Sequence, residues 1–314
     1  MKRLCRLLLL LVVLALTAGA PIAMHAAEAA ASSEEQGLPL KAPTLFEVGP
    51  LVVTSSMLVT WVVAIGIIVF AQFATRNMKE VPEGAQNFLE WLVEGLYNLL
   101  EGIVGHKLVK KTFWFFATIF ILILFSNWFG LIPGVGTIGF GKPTGPWSIE
   151  RVNEPIFRGA NADFNMTFAM AMVFFLLWII WAIQSNGPGG FIMHLFGPKG
   201  DMKSLPVVLA VFLVVLFVLV GCLEVVSILF RPVSLSFRLY GNIFAGENMM
   251  DAMANIVQSP GWLKILCAIV IPIPFYFMEL LVGVVQAMVF MLLTAVFTLL
   301  ICQHDDEGHG VHPH

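Results

Sequence analysis

The sequence predicts an all-α, polytopic integral membrane protein: about five membrane-crossing helices, one amphipathic surface helix, and a long tilted helical hairpin at the end. Three observations carry this reading. Hydrophobic residues make up 59% of the 314 residues and charged residues only 12%, where a soluble domain carries about a quarter charged. Mean hydropathy is +0.89. Several uninterrupted apolar runs reach the ~20 residues that a bilayer-spanning helix requires. A net charge of −3 gives no basic surface to attract nucleic acid.

The N-terminus reads as a secretory signal over residues 1–29. Lys2, Arg3 and Arg6 precede an apolar stretch over 7–18, and small-residue sites follow at 18–20 and 27–29. The alternative is an uncleaved N-terminal helix. In both cases residues 30–48 begin outside the cytoplasm. A single membrane domain then fills 49–303, and a polar His-rich tail closes the chain over 304–314.

The first span is expected over 51–74. Residues 83–105 differ from it, because Phe88, Leu89, Leu92, Leu96, Leu99, Leu100 and Ile103 recur at helical spacing with Glu90, Glu94, Asn98 and Glu101 between them. Such a helix lies on the membrane surface or packs against a partner. Further spans are expected over 112–132 and 163–183, the latter with Asp163 as helix N-cap. Loops fill 134–162 and 185–204. Two very long apolar segments follow, over 205–257 and 262–301. As helices they would extend roughly 80 Å and 60 Å, against a hydrocarbon core ~30 Å thick. They must tilt, bend or break, and Pro206, Pro232, Pro272 and Pro274 offer bend points.

Positive charge orients the chain. Arg76, Lys79, Lys107, Lys110, Lys111, Lys199 and Lys203 assign residues 76–111 and 185–204 to the cytoplasm. With five crossings the mature N-terminus lies outside and the C-terminus inside, in agreement with a secretory signal. The cysteines, Cys5, Cys222, Cys267 and Cys302, have neither zinc-site nor disulfide-framework spacing and read as small buried hydrophobes. No internal repeat is visible, which disfavours an inverted-repeat transporter.

The chemistry concentrates in the penultimate segment, LEVVSILFRPVSLSFRLYGNIFAGENMMDAMAN, which is apolar yet holds Glu224, Arg231, Arg238, Asn242, Glu247, Asn248, Asp251 and Asn255. A charge at membrane depth costs ~3 kcal/mol or more, so such residues face protein or water and mark an ion path. At about 100° per residue, Glu224, Ser227, Arg231, Ser234 and Asn242 all fall within roughly 40° of Arg238. Glu247 falls roughly opposite, with Asp251 one turn further on. In the last segment Glu279 and Gln286, seven residues apart, share one face. Arg231 admits a second reading, a helix-end side chain snorkelling to headgroups. Glu224 admits another, neutralisation of Arg231. Asn248 and Asn255 read as interhelical hydrogen-bond glue.

Guanidinium keeps its proton at physiological pH. Arg238 therefore cannot relay a proton, but it can stand as a fixed cation between two water-filled halves of a path. A carboxylate on a neighbouring protein passing close to it is driven to ionise. Glu247 and Glu279 can take up and release protons. Amides such as Asn242 and Gln286 can hydrogen-bond the guanidinium without neutralising it.

The stretch PVSLSFRLYGNIFAGE (232–247) resembles the signature of F-type ATP synthase subunit a. FSNWFGLIPG (125–134), NADFNMTFAMAM (161–172) and VQAMVFMLLT (285–294) are also similar to segments of that family. The resemblance covers most of residues 45–303. It implies a stator whose tilted hairpin packs against a rotating ring of c subunits, with subunit b of the peripheral stalk and the other Fo and F1 subunits as further partners, in a bacterial inner membrane. It implies that Arg238 separates two proton half-channels and attracts the ring carboxylate. Asn242 and Gln286 match its polar neighbours, Glu224 a carboxylate of the cytoplasmic path, and Glu247 and Glu279 the periplasmic pair. Many members carry a histidine in that pair. Here both are glutamates, which should share a proton.

Two other classes compete. A stand-alone secondary transporter or channel would use the same buried charges. An intramembrane enzyme has no HExxH, GxSxG or Walker A motif to support it, so no catalytic residue, cofactor or metal is expected. The four histidines of the tail (His304, His309, His312 and His314) read as a solvated segment, with no apolar frame to order a metal site.

Overall fold

The structure is a computed structural model and describes residues 44–48, 51–132, 138–140, 154–155, 157–196, 207–254, 256, 266–267 and 269–302. The expected signal, the His-rich tail and most of the 30–48 segment lie outside the described residues.

The described residues open with an antiparallel hairpin, β1 (Thr44–Val48) and β2 (Leu51–Thr54), paired Val48 to Leu51. The first helix, α1 (Ser55–Thr75), thus starts four residues later than its apolar run. Val52, Val53 and Thr54 are β-branched and fit a ladder better than a helix. A second small hairpin, β3 (Gly139–Phe140) with β4 (Glu154–Pro155), sits in the 134–162 connection. The remaining described elements are helices.

The amphipathic helix is α2 (Ala85–Val104), and its apolar stripe buries Leu96, Leu100 and Val104 against the bundle. Its partner is therefore this chain itself, chiefly α3 (His106–Gly130) and α6 (Pro272–Cys302). Gly105 turns the chain between α2 and α3 at φ +80°, a conformation a Cβ would strain. α3 begins six residues before the expected 112–132 span and takes Lys107, Lys110 and Lys111 into its first turns. Long lysine stems let a helix run past its apolar stretch while the ammonium stays in water.

α4 (Phe164–Phe196) starts where expected. Asp163 accepts the Asn165 backbone N–H at 3.0 Å, an N-cap bond, and the Ser56 hydroxyl at 2.5 Å. It does not stop near Ile183, however. Helical backbone continues to Phe196 across a break at Gly187 (φ 68°), directly before Pro188, where a loop was expected.

α5 (Val207–Ala254) is one helix of 48 residues with Pro232 inside it, about 70 Å long by helical rise. Pro232 does not divide it. α6 begins at Pro272, so Pro272 and Pro274 stand in its first turn, where a missing N–H costs nothing. The described residues just before it, 266–267 and 269–270, are also helical, with a turn at Ile271, so the segment is interrupted where these prolines offered a bend. Among the described residues five helices, α1 and α3 to α6, are long and apolar enough to cross a membrane. The core lies between α3, α4, α5 and α6, around Phe116, Ile123, Phe174, Leu239 and Met291. α1 attaches at its first turns through Val59 and Val63, which pack on Ala160. Its later turns expose Ile65, Ile68 and Phe73, as a lipid-facing helix does.

The cysteines depart from expectation. Cys222 is exposed on the outer side of α5, and Cys267 and Cys302 are half-buried; none of the three is in a disulfide. Helical phase on α5 places position 222 outward, whatever its side chain prefers.

Candidate functional site

Two stripes on α5 organise the site. Leu235, Leu239 and Ile243 recur every fourth residue and are buried, and Glu247 continues that stripe inward. Ser234, Arg238 and Asn242 recur every fourth residue on the other side and are exposed. The opposition of Arg238 and Glu247 expected from helical phase is therefore present. Arg238 stands among exposed Leu229, Phe230 and Phe237, a charge on an otherwise apolar outer surface. No hydrogen bond or ion pair engages it among the described residues.

Inside, Glu247 meets three elements. Glu279, from α6, is buried at 4% exposure, and its carboxylate lies where a Cβ on Gly246 would have to stand. A residue larger than glycine at 246 would collide with it. Both glutamates line a cavity of about 10 Å³ together with Ser126, Asn127, Gly130, Gly159 and Asn161. That is room for a single water molecule. Asn161 donates to the Asn127 side-chain oxygen at 2.6 Å and to the Ile123 carbonyl at 3.3 Å, and Asn127 donates to the Gly283 carbonyl at 3.1 Å. These bonds tie α3, the 3₁₀ turn Ala160–Ala162 and α6 around the cavity. Arg158, from the connecting segment, approaches Glu247 beside this cavity. Its side chain is buried, with Nε 4.0 Å from Glu247 Oε2.

A polar cluster is thus enclosed within the helices, while Arg238 faces outward from the same helix. The family model described as ATP synthase A chain matches residues 57–298. The chain belongs to this family. Among its relatives, ATP synthase subunit a of Moorella thermoacetica is 32% identical over 81% of this chain and 93% of its own. That of Gloeobacter violaceus is 28% identical over 84% and 90%, and that of Geobacter sulfurreducens 31% identical over 76% and 83%.

In this A-chain member the remaining sequence candidates separate. Gln286 is buried on the same face of α6 as Glu279. Among the described residues no hydrogen bond joins it to Arg238, since one side chain faces inward and the other outward. Glu224 and Asp251 are half-buried along α5. Arg231 does not snorkel. Its guanidinium lies 4.5 Å from the Phe297 ring centre and 5.5 Å from that of Trp178, a cation–π seat between α4 and α6. The Trp178 indole is itself anchored, donating to the Phe297 carbonyl at 3.0 Å.

Sequence reasoning assigned no role to Asn127, Asn161 or Arg158. Asn127 had a legible signal, an amide inside the apolar run FILILFSNWFG. Arg158 had none. It lies in a connection without periodicity, where it counted only as one loop charge among several.

Proposed function

We propose that this chain is the stationary, proton-conducting subunit of the membrane sector of an ATP synthase, and that Arg238 is the fixed cation past which the proton-carrying carboxylates of a rotating c-ring move. The chain has no catalytic site of its own; ATP is made on other subunits of the complex. The observation that carries the reading is an exposed guanidinium on the outer face of a 48-residue apolar helix. Lipid contact at that depth would cost ~3 kcal/mol or more, so the face bearing Arg238 is covered by protein with a compensating acidic group. An acidic residue on a ring subunit meets that need. As it passes Arg238 it ionises and gives up its proton. The guanidinium stays charged and so bars direct proton flow between the two sides.

Glu247 and Glu279, with Gln286 and the Asn127–Asn161 pair nearby, form the half-channel on the extracytoplasmic side. Protons enter there and pass to the ring. Glu224 belongs to the opposite, cytoplasmic half. Ser234 and Asn242 flank Arg238 on the ring-facing stripe, and Asp251 continues the Glu247 face. Subunit b packs elsewhere on the bundle, and the mature N-terminus lies outside with the C-terminus in the cytoplasm.

The decisive experiment is Arg238→Ala in the complete synthase reconstituted in proteoliposomes. Proton-driven ATP synthesis is expected to fall to background; retained synthesis overturns the reading. Steady ion transport by the purified chain without a ring would favour a stand-alone transporter instead.

A further inference from the structure

We propose that Arg158 sets the proton count of the Glu247–Glu279 pair, holding it at one shared proton, and is thereby a positioning residue of the proton path. The inference rests on reading the two glutamates as proton carriers.

Arg158 lies in the connection before α4 and is 4% exposed. Its guanidinium carbon is 5.9 Å from the Phe244 ring centre, one turn before Glu247 on α5. None of its three nitrogens has a hydrogen-bond acceptor among the described protein atoms. A buried guanidinium stays charged and must be offset by a nearby opposite charge. The titratable groups around it are Glu247 and Tyr240 on α5, Asp163 at the start of α4 and, beyond Glu247 and sharing a cavity with it, Glu279 on α6. Asp163 forms no ion pair with Arg158 among the described residues; its two oxygens accept the Ser56 hydroxyl and the Asn165 N–H. Tyr240 is neutral when protonated. Glu247 is thus the counter-charge, at a separation of 4.0 Å that a water can bridge.

Charge balance then limits the pair. Two enclosed carboxylates carry two negative charges when both are ionised, and one guanidinium offsets one of them. The other holds a proton, so the resting cluster is one cation, one carboxylate and one carboxylic acid. Such a cluster can both accept and release a proton. Without Arg158 both groups hold protons and the pair can accept none. The backbone secures the geometry, because a side chain on the next residue, Gly159, would run into the Glu247 carboxylate.

The test uses the complete synthase carrying Arg158→Gln, Arg158→Lys, Glu247→Gln or Glu279→Gln. Passive proton conduction is measured in vesicles after removal of the catalytic sector. Buried protonated carboxyls are counted from their infrared carbonyl stretch, assigned by its loss in Glu279→Gln or Glu247→Gln. Arg158→Gln is expected to lower conduction about tenfold or more, the equivalent of 1.4 kcal/mol in a barrier, and to add one protonated carboxyl. Arg158→Lys is expected to keep the wild-type carboxyl count and recover most of the conduction. Wild-type conduction or an unchanged carboxyl count in Arg158→Gln, with Glu247→Gln inactive, overturns the proposal and leaves the underlying path intact. Conduction in Glu247→Gln as well overturns the path itself. Should Arg158→Gln fail to assemble, Arg158→Lys decides: a second protonated carboxyl in that variant overturns the proposal.

Discussion

Arg158 and Arg238 are the same side chain in opposite settings. Arg158 is enclosed by the chain's own helices, 4.0 Å from Glu247, which in turn lines one small cavity with Glu279, Asn127 and Asn161. Arg238 faces outward on α5, and no group of this chain answers its charge among the described residues. Permanent positive charge is costly in both places, yet only the first is compensated internally. One charged cluster is therefore complete within a single chain, while the other cation is left for a partner to answer. On the proposed reading, the enclosed cation sets how many protons its carboxylates hold, whereas the cation at the open face selects what may pass it.

This contrast can be sharpened at three points. The largest effect is expected from Glu279→Gln, which removes a carrier from the enclosed cluster without touching the outer face. Proton conduction of the stripped membrane sector should fall about 100-fold, the low end of what a positioned proton-transfer group contributes. Co-purification of the ring should be unchanged. Loss of the ring from this variant would mean that the two regions are not separable.

A smaller effect is expected from Gly246→Ala, whose new methyl meets the Glu279 carboxylate. Overpacking of this kind costs about 1–3 kcal/mol, to be read as a lowered melting temperature of the solubilised complex. Gly241→Ala is the control: its methyl meets nothing in this chain, so any effect must come from what covers the outer face.

The smallest belongs to Arg231→Met. Loss of the stacking on Phe297 and Trp178 should cost about 1–2 kcal/mol of stability, with proton-driven synthesis retained. Loss of coupling in this variant would move Arg231 from the packing into the path and break the division between structural and functional arginines.

Much of the site was legible before any fold was known. The apolar runs of α1, α3, α4, α5 and α6 announce themselves because lipid tolerates few other side chains. Asp163 read as a cap and acts as one. Arg238, Glu247 and Glu279 stood out because charge inside an apolar helix is rare, and 100° per residue was enough to set Arg238 opposite Glu247. Element ends were less legible. Lysine stems carry α3 beyond its apolar core, β-branched residues shorten α1, and helical turns persist past Gly187. Nothing local could have shown that Gln286 is buried while Arg238 is exposed, since the pairing of helix faces is a tertiary matter.

Composition and periodicity alone determined that this chain spans a membrane, that α5 carries a cation on one face and a carboxylate on the other, and that α2 has one apolar side. Such properties follow from burial cost and helical geometry, which act within a single element. Only the tertiary structure decided that α2 packs on its own bundle, that Arg231 sits between aromatic rings, and that Arg158 reaches Glu247 from a segment nearly ninety residues earlier. Those outcomes depend on which surfaces meet. A guanidinium in an aperiodic connection leaves no trace of its partner until the helices that enclose it are assembled.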